Sequence, residues 1–261
     1  MPLSFRSTAR LAVAAAVAGA ALSAPRAAAA QWRGEYYALP VTGADRNPDV
    51  QYGLDSDPVF GLVESTLSAG RLPVATACGQ LRKGTGCGLS DLPITDVNAR
   101  GEVQWWNGNG TTSRPDDLGG GSNVRSSAAI NFPSDFFPGG MSDNSLFMRA
   151  ARWSTRAAND GTFTMRLTAD DDAWLFHNGQ LVLDIGGVKG IGFYSSAAVT
   201  VNAGDRFDLF FADRRMTQAG IILDQGGMIT TTPEPASVAL MGAGLAAIGA
   251  VVRRRRSQTQ A

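Results

Sequence analysis

The chain has 261 residues with 23 basic and 23 acidic side chains, one histidine and two cysteines. Residues 1–30 and 236–261 have the pattern of processing signals, and without them 16 basic side chains remain against 23 acidic ones. This acidic segment argues against a nucleic-acid-binding protein and is compatible with a cation-binding surface. Its roughly 205 residues suit one large all-β domain or two small ones.

Residues 1–30 have the layout of a secretory signal peptide. Arg6 and Arg10 precede the apolar run LAVAAAVAGAALSA, and small residues ending in AAAA lead into Gln31. A basic start, an apolar stretch and small residues before the cleavage site are the three parts of such a peptide. We therefore expect export, with cleavage within a few residues of Ala30.

The segment from residue 31 to about 147 is rich in Gly, Pro, Asn, Asp and Ser, with short apolar pieces such as EYYALPV, FGLVESTL and VQWW. These pieces predict short strands. One short helix is predicted over 57–70, with Asp57 as its cap and Pro58 in its first turn. The stretch WNGNGTTSRPDDLGGGSN at 106–123 predicts an exposed loop.

Two cysteines, Cys78 and Cys87, flank the sequence GQLRKGTG. In a chain that leaves the cytoplasm, a disulfide closing this loop is the leading interpretation. A reactive thiol or a metal pair is the alternative, although the sequence has no second Cys or His pair to complete a metal site.

From residue 150 onward the pattern is that of antiparallel strands. In TFTMRLTA, Phe163, Met165 and Leu167 alternate with polar residues, so one face is expected to be buried. AWLFHNGQLVLDI predicts a hairpin, because Asn178-Gly179 suits a type I′ turn. The pieces DRFDLFFAD and AGIILDQGG predict two further strands.

Closely spaced strands, turns of Gly and Asn, and almost no helical periodicity predict an all-β fold. We expect residues 31–230 to form one antiparallel β-sandwich of the jelly-roll kind.

Residues 231–261 combine three signals. In chain order these are Pro233-Glu234-Pro235, the apolar run ASVALMGAGLAAIGAVV at 236–252, and Arg253-Arg254-Arg255-Arg256. The apolar run is just long enough to cross a thin bilayer, and the arginines are expected to hold that side in the cytoplasm. A core helix is the alternative, but no polar face interrupts the run.

This tail resembles the PEP-CTERM sorting signal of Gram-negative, exopolysaccharide-producing bacteria. The resemblance implies recognition by an exosortase, a membrane cysteine transpeptidase. It also implies transient contact with the inner membrane, cleavage near the motif, and transfer to the cell surface or extracellular matrix.

The mature segment resembles the fibro-slime domain. The resemblance lies in the blocks GEYYALPV, NPDVQYG, GLVESTLSAGRLPV, QWW, FPSDFFP, FTMRLTADDDAWLFHNGQLVLDIGGVKG and LFFADRRMTQAG, whose order matches over nearly all of residues 34–229. Fibro-slime domains occur on bacterial surface proteins and are similar to the β-sandwich lectin module first named from anthrax protective antigen. The resemblance implies that fold.

Three consecutive carboxylates in ADDDAWLF, those of Asp170, Asp171 and Asp172, are the most distinctive candidate site. A glycosidase needs two carboxylates on opposite sides of the scissile bond, roughly 5 to 9 Å apart, which neighbouring acids seldom provide. The only histidine, His177, has no serine near it in the sequence. We therefore expect a protein that is not an enzyme.

A calcium site suits these acids better, because calcium binds six to eight oxygen ligands. Neighbouring side chains on a strand point to opposite faces, so two adjacent Asp residues converge only at a sharp turn or a cis peptide. The related calcium-dependent lectins have such a cis pair, and the resemblance assigns it here to Asp171 and Asp172. It places Asp170 at the loop edge and adds Asp213 from a neighbouring loop. A solvated turn is the alternative.

Trp105 and Trp106 are candidates for stacking on a sugar ring, although a tryptophan pair is also typical of a core edge. Trp174 and Phe176 share a strand face and are expected in the core. Asp184 is expected to pair with the glycine turn that follows it.

The leading hypothesis is an exported surface protein that binds carbohydrate or exopolysaccharide with the help of calcium, in adhesion or biofilm formation. The alternative is a structural matrix protein that binds no small ligand and acts by self-association. A glycosidase is the third hypothesis.

Overall fold

The computed structural model describes residues 32–50, 53–55, 57–108, 112–115, 149–215, 219–226, 228 and 244. Contacts divide the chain into the unit Ala30–Thr230 and a unit of the two chain ends. The predicted signal peptide, the sorting tripeptide, the arginine cluster and, apart from Gly244, the predicted membrane span lie outside the described residues. Within those residues, no helix is long and apolar enough to cross a membrane.

The described part of the first unit contains nine strands and one short 3-10 helix. The strands are β1 Arg33–Ala38, β2 Arg114–Pro115, β3 Arg149–Arg156, β4 Gly161–Asp170, β5 Asp172–His177, β6 Gln180–Ile185, β7 Ser195–Val201, β8 Arg206–Asp213 and β9 Gly220–Asp224. They form a six-stranded sheet in the order β2-β1-β3-β8-β5-β6 and a three-stranded sheet in the order β7-β4-β9. All pairings between these strands are antiparallel, which confirms the predicted antiparallel β-sandwich.

The main core lies between the two sheets. It is built from alternate residues of eight strands, among them Trp153 on β3, Leu167 on β4 and Phe211 on β8, all at most 1% exposed. The predicted buried face of β4 is present, since Met165 and Leu167 are buried and Phe163 packs beside them. Burial of alternate residues is the expected consequence of the two-residue period of a strand.

A second core lies on the outer face of the six-stranded sheet. Loops from residues 39–106 cover this face and bury a set of apolar side chains against it. Strand β8 is therefore buried on both faces, with Leu209 in the first core and Phe210 in the second. A strand covered on both sides has a continuous apolar run, which explains the sequence LFFA at 209–212.

The predicted β5–β6 hairpin turns at Asn178 and Gly179, which have φ of 50° and 85°. Both values fit the positive φ that a type I′ turn requires. Strands β3 and β7 were not predicted individually. In β3 the alternation of Ala151 and Trp153 with polar residues is short and its next buried position is the polar Thr155, and β7 begins with the small residues SSAA.

The predicted helix over 57–70 is wrong. This segment is an extended loop held by isolated bridges from Val59 to Gly186, from Val63 to Ala75 and from Thr66 to Gln180. Gly61, in its middle, has a φ of 76°, which a right-handed helix excludes. The capping signal at Asp57 and Pro58 was local, whereas pairing with distant residues decided the conformation.

The predicted strand over VQWW is also wrong, since Gln104–Trp106 forms the 3-10 helix. Of the predicted loop at 106–123, the structure describes only 106–108 and 112–115.

Cys78 and Cys87 form a disulfide with Cα atoms 5.0 Å apart. It closes a loop of turns on the surface of the second core. A cross-link over a sequence separation of 9 reduces the entropy of the unfolded chain and contributes about 2 to 3 kcal/mol on the loop-entropy model.

We expect the Cys78→Ser, Cys87→Ser double variant to lose about 2 to 3 kcal/mol of unfolding free energy. Urea unfolding at equal protein concentration measures this difference. Wild-type protein unfolded with a reductant is the matched control and should give the same value as the double variant. Equal stability of the oxidised and reduced wild-type protein would contradict the expectation.

Candidate functional site

Three carboxylates converge at one end of the sandwich, where the chain passes from the smaller sheet into the larger one. Asp170 ends β4, Asp171 follows it, and Asp213 ends β8. One carboxylate oxygen from each lies within 4.8 Å of the others, and the peptide bond between Asp170 and Asp171 is cis. We call these three residues the acidic cluster.

The structure corrects the predicted pair of Asp171 and Asp172. Asp172 starts β5 and points away from the cluster, and its two oxygens accept hydrogen bonds from the Gly187 N–H at 2.6 Å and from Arg214 Nε at 2.7 Å. The physical reason is the alternation of side chains along a strand. Asp170 takes the position that the sequence had assigned to Asp172.

Arg214 is fully buried beside the cluster. It forms an ion pair with Asp172, donates from Nη1 to the Leu92 carbonyl at 3.1 Å, and lies over the Trp105 ring with its guanidinium carbon 5.0 Å from the ring centroid. Burial lowers the pKa of Arg214, but Asp172 and Asp49 outweigh that effect and leave the pKa above its ordinary value. Arg214 is therefore a charged part of the second core.

The Asp171 carboxylate is also fully buried. Its Oδ1 accepts the Lys189 N–H at 2.8 Å and its Oδ2 accepts the Arg214 N–H at 2.9 Å. Burial, and then the negative charge of Asp172, raise its pKa to about 8. The Asp171 carboxyl group is also hydrogen-bonded to that of Asp170, which places the two groups side by side in the cluster.

Lys189 fixes the main chain under the cluster. Its side chain is buried, and its ammonium donates to the carbonyls of Ala169 at 2.9 Å and of Asp171 at 2.5 Å. Burial lowers the pKa of Lys189. Its bonds to main-chain carbonyls position Asp171 and leave the carboxylate oxygens facing the other members of the cluster.

The acidic cluster fits a hard cation such as calcium. All its donors are carboxylate oxygens, and calcium binds such oxygens at about 2.3 to 2.6 Å, so two ligands on opposite sides of the ion are about 5 Å apart. The observed mutual separation within 4.8 Å is compatible with a shared ion. The cluster is not sealed from solvent, since Asp170 is 8% exposed.

A cavity of about 440 Å³ adjoins the cluster on the outer face of the three-stranded sheet. Its lining combines apolar and charged side chains, including those of Arg166, Thr168, Ile191, Phe193, Tyr194, Ile222 and Asp224. Ile191 joins the cavity to the cluster, because its N–H donates to the Asp170 carboxylate. Tyr194 is 60% exposed, and the Arg166 guanidinium carbon lies 4.2 Å from its ring centroid.

The predicted sugar-stacking role of Trp105 and Trp106 is wrong in this structure. Their side chains are 0% and 2% exposed, so neither ring offers a face to a ligand. Trp105 Nε1 donates to Asp49, and Trp106 Nε1 donates to the carbonyls of Ala151 and Phe211. Both rings belong to the second core, as the predicted core residues Trp174 and Phe176 also do.

Asp184 does not pair with the glycine turn that follows it. Its oxygens accept hydrogen bonds from the Gly61 N–H at 2.7 Å and from Trp174 Nε1 at 2.9 Å. His177 Nε2 lies 2.9 Å from Asp205 Oδ2, far along β8 from the acidic cluster. Neither residue contributes to the candidate site.

Sequence reasoning missed Lys189, Arg214 and Tyr194. The hydrogen bonds of Lys189 and Arg214 to Asp171 and Asp172 join residues 18 and 42 positions apart, so no short motif contains them. Tyr194 belongs to an irregular loop. Its only sequence signal was an aromatic residue in a glycine-rich stretch, GIGFY.

Comparison with known proteins identifies the tail. Residues 231–256 match the PEP-CTERM protein-sorting motif, which confirms the predicted sorting signal. The motif indicates an exported protein and implies processing by an exosortase.

Several solved structures are distantly similar. One is the PA14 sugar-binding domain from an RTX adhesin, with 15% identity, 77% of this chain and 92% of that chain covered, and a TM-score of 0.30. Another is the PA14 domain of the antifreeze protein MpAFP, with 13% identity, coverage of 80% and 88%, and a TM-score of 0.27.

A third is the beta-glucosidase from Kluyveromyces marxianus in complex with glucose, with 13% identity and a TM-score of 0.23, covering 65% of this chain and 18% of the enzyme. No curated protein matches the sequence. At these TM-scores the fold assignment rests on the observed strand pairing alone.

Proposed function

We propose that this exported domain binds carbohydrate at the cell surface or in the extracellular matrix, with a calcium ion held by the acidic cluster. Adhesion or biofilm formation is the setting that such binding would serve. The observation that carries the proposal is the position of three converging carboxylates at the edge of an open cavity with exposed apolar side chains. We also propose a relationship to the fibro-slime domain, whose sequence blocks the mature chain resembles.

Asp170, Asp171 and Asp213 would hold the ion through their carboxylates. Calcium, when bound, supplies a hard positive charge that accepts sugar hydroxyl oxygens among its six to eight ligands. The chain keeps the three carboxylates in place through main-chain donors, namely Lys189 and Arg214 on Asp171 and Arg215 on Asp213. These donors leave the carboxylates oriented before any ligand arrives.

The cavity supplies what a sugar ring requires in addition to the ion. The exposed ring of Tyr194 and the side chain of Ile222 offer apolar surface to the C–H face of a sugar. Asp224 accepts hydrogen bonds from hydroxyl groups, and Arg166 donates them. A pocket with mostly apolar walls and a few placed polar groups is the usual form of a small-ligand site.

The geometry does not favour the glycosidase hypothesis. The three carboxylates of the cluster approach one another within 4.8 Å, whereas a glycosidase separates its two carboxylates by roughly 5 to 9 Å with the sugar between them. Asp171 is also fully buried, so it does not reach a scissile bond.

Calcium titration of the full chain in mild detergent tests the metal. We expect the wild-type protein to bind one calcium ion per chain. The calcium affinity should fall by at least about tenfold in Asp171→Asn and in Asp213→Asn, because each substitution removes one anionic ligand. Asp57→Asn, which changes an exposed carboxylate elsewhere, is the matched control and should bind as the wild-type protein does. Absence of calcium binding by the wild-type protein would refute the metal site.

A glycan array with calcium or with a chelator tests the ligand. We expect a saccharide signal that the chelator removes and that Tyr194→Ala weakens by about five- to tenfold, because stacking on an aromatic ring is worth about 1 to 1.5 kcal/mol. A signal that survives both treatments would show that the cluster and cavity are not the site. No signal under either condition would favour the structural matrix protein.

A further inference from the structure

A second charged surface lies on the outer face of the larger sheet, at the end far from the acidic cluster. Strands β1, β3 and β8 run side by side there, beyond the area that the second core covers. Arg206 and Asp213 are the first and last residues of β8, so the two sites are about 24 Å apart at about 3.4 Å per residue. Five arginines reach this surface, namely Arg33, Arg71, Arg152, Arg156 and Arg206. We call it the arginine face.

Arginines outnumber carboxylates on the arginine face. Asp208 is contacted by both Arg71 and Arg206. Glu35 accepts hydrogen bonds from Arg152 Nε at 2.5 Å and from the Tyr37 hydroxyl at 2.9 Å. The two carboxylates are therefore each shared, and among the residues that the structure describes five guanidinium groups face two negative charges.

The next acid along the chain does not restore the balance. Asp205 is engaged by His177, by the Asn178 side chain and by the Asn202 N–H. Arg156 donates to a main-chain carbonyl, that of Gly204, at 2.7 Å, and has no carboxylate partner within the described part of the chain. The excess of positive charge is notable in a mature segment with 16 basic and 23 acidic side chains.

Two of these arginines are direct cross-strand partners, since Arg156 on β3 pairs with Arg206 on β8. Like charges directly opposite each other in a sheet destabilise it. A bound anion between or beside the two guanidinium groups would offset that repulsion. Anion binding would therefore account for two arginines at directly opposite positions.

The arginine face contains a cavity of about 220 Å³. Ser154 lies on its floor, opposite Arg33 on β1 and Asp208 on β8. Arg33, Arg152 and Arg206 line its sides together with the two shared carboxylates, those of Glu35 and Asp208. The volume is several times that of a water molecule in the liquid, about 30 Å³, so a carboxylate with part of a sugar ring has room in it.

We propose that the arginine face binds an acidic extracellular polysaccharide through its uronate carboxylates. Guanidinium groups match carboxylates in planar, two-point hydrogen bonds. Arginines on three neighbouring strands span about 10 Å, which suits a polymer with one carboxylate on each ring. The export signal places the chain where such a polymer occurs, and the acidic mature chain as a whole disfavours the denser charge of duplex DNA.

This binding needs no metal and uses none of the residues assigned to calcium. The test therefore measures polygalacturonate binding to the full chain in mild detergent with a chelator present, at two salt concentrations. We expect binding that weakens as salt rises. We also expect a loss of at least about tenfold in the Arg33→Gln, Arg156→Gln double variant, because each substitution removes a charge-assisted hydrogen-bond donor.

Two further variants separate charge from folding. Arg100→Gln, which removes another exposed arginine, should bind as the wild-type protein does. Arg33→Lys with Arg156→Lys should recover part of the affinity, because the charge remains while the planar fork is lost. Equal binding by the glutamine and wild-type proteins, equal binding of neutral dextran, or tighter binding of duplex DNA would each overturn the proposal. None of these results bears on calcium-dependent binding at the acidic cluster.

Discussion

Arg214→Met should lower the unfolding free energy by about 3 to 5 kcal/mol, the cost of leaving a buried charge without its partner. Asp172 is fully buried, and Arg214 Nε is 2.7 Å from its carboxylate. Methionine has a similar length and no charge, so the loss would come mainly from the uncompensated carboxylate. Urea unfolding followed by tryptophan fluorescence, with a chelator present, measures the difference.

Two variants make this result specific to the buried pair. Arg100→Met removes an arginine whose side chain is 77% exposed, while its partner Glu102 keeps the hydrogen bond from Asn98, and should cost at most about 1 kcal/mol. Adding Asp172→Leu to Arg214→Met removes both charges and should recover part of the lost stability. If Arg214→Met cost no more than the Arg100 control, the ion pair would not be the element that joins β5 to the end of β8.

The sequence predicted those parts of the fold that follow from local periodicity. Alternation in β4, the Asn178-Gly179 turn and the apolar run of β8 each depend on residues close together in the chain. It failed over 57–70, where the bridges of Val59 and Thr66 join residues more than a hundred positions apart. A segment whose conformation is set by pairing with distant residues has no regular spacing of apolar residues in its own sequence.

Of the carboxylates predicted to converge, Asp171 and Asp213 do approach each other, whereas Asp170 takes the place predicted for Asp172. The block of three acids was identified, but which two of them face Asp213 depends on where β4 ends and β5 begins. A shift of one residue moves each side chain to the opposite face. Lys189 and Arg214, which orient Asp171, became visible only once the loop after β6 and the end of β8 were brought beside it.

Trp106→Ala should be among the most destabilising single changes in the domain, with an expected loss of about 3 to 5 kcal/mol. Its ring centroid lies 5.0 Å from that of Phe210 and 6.1 Å from that of Trp174. Its Nε1 bonds to the carbonyls of Ala151 and Phe211 join the loop layer to β3 and β8. Removing the ring would leave a cavity in the second core and would also take this donor away from the carbonyls of Ala151 and Phe211.

Tyr194→Ala is the matched control, because it also removes an aromatic ring but from a side chain that is 60% exposed. It should change the unfolding free energy by no more than about 0.5 kcal/mol while weakening saccharide binding. Trp106→Ala, assayed at a temperature where it remains folded, should keep the saccharide affinity of the wild-type protein. The reverse pattern, with binding lost in the Trp106 variant and kept in the Tyr194 variant, would return the sugar-stacking role to the tryptophan pair and remove it from the cavity.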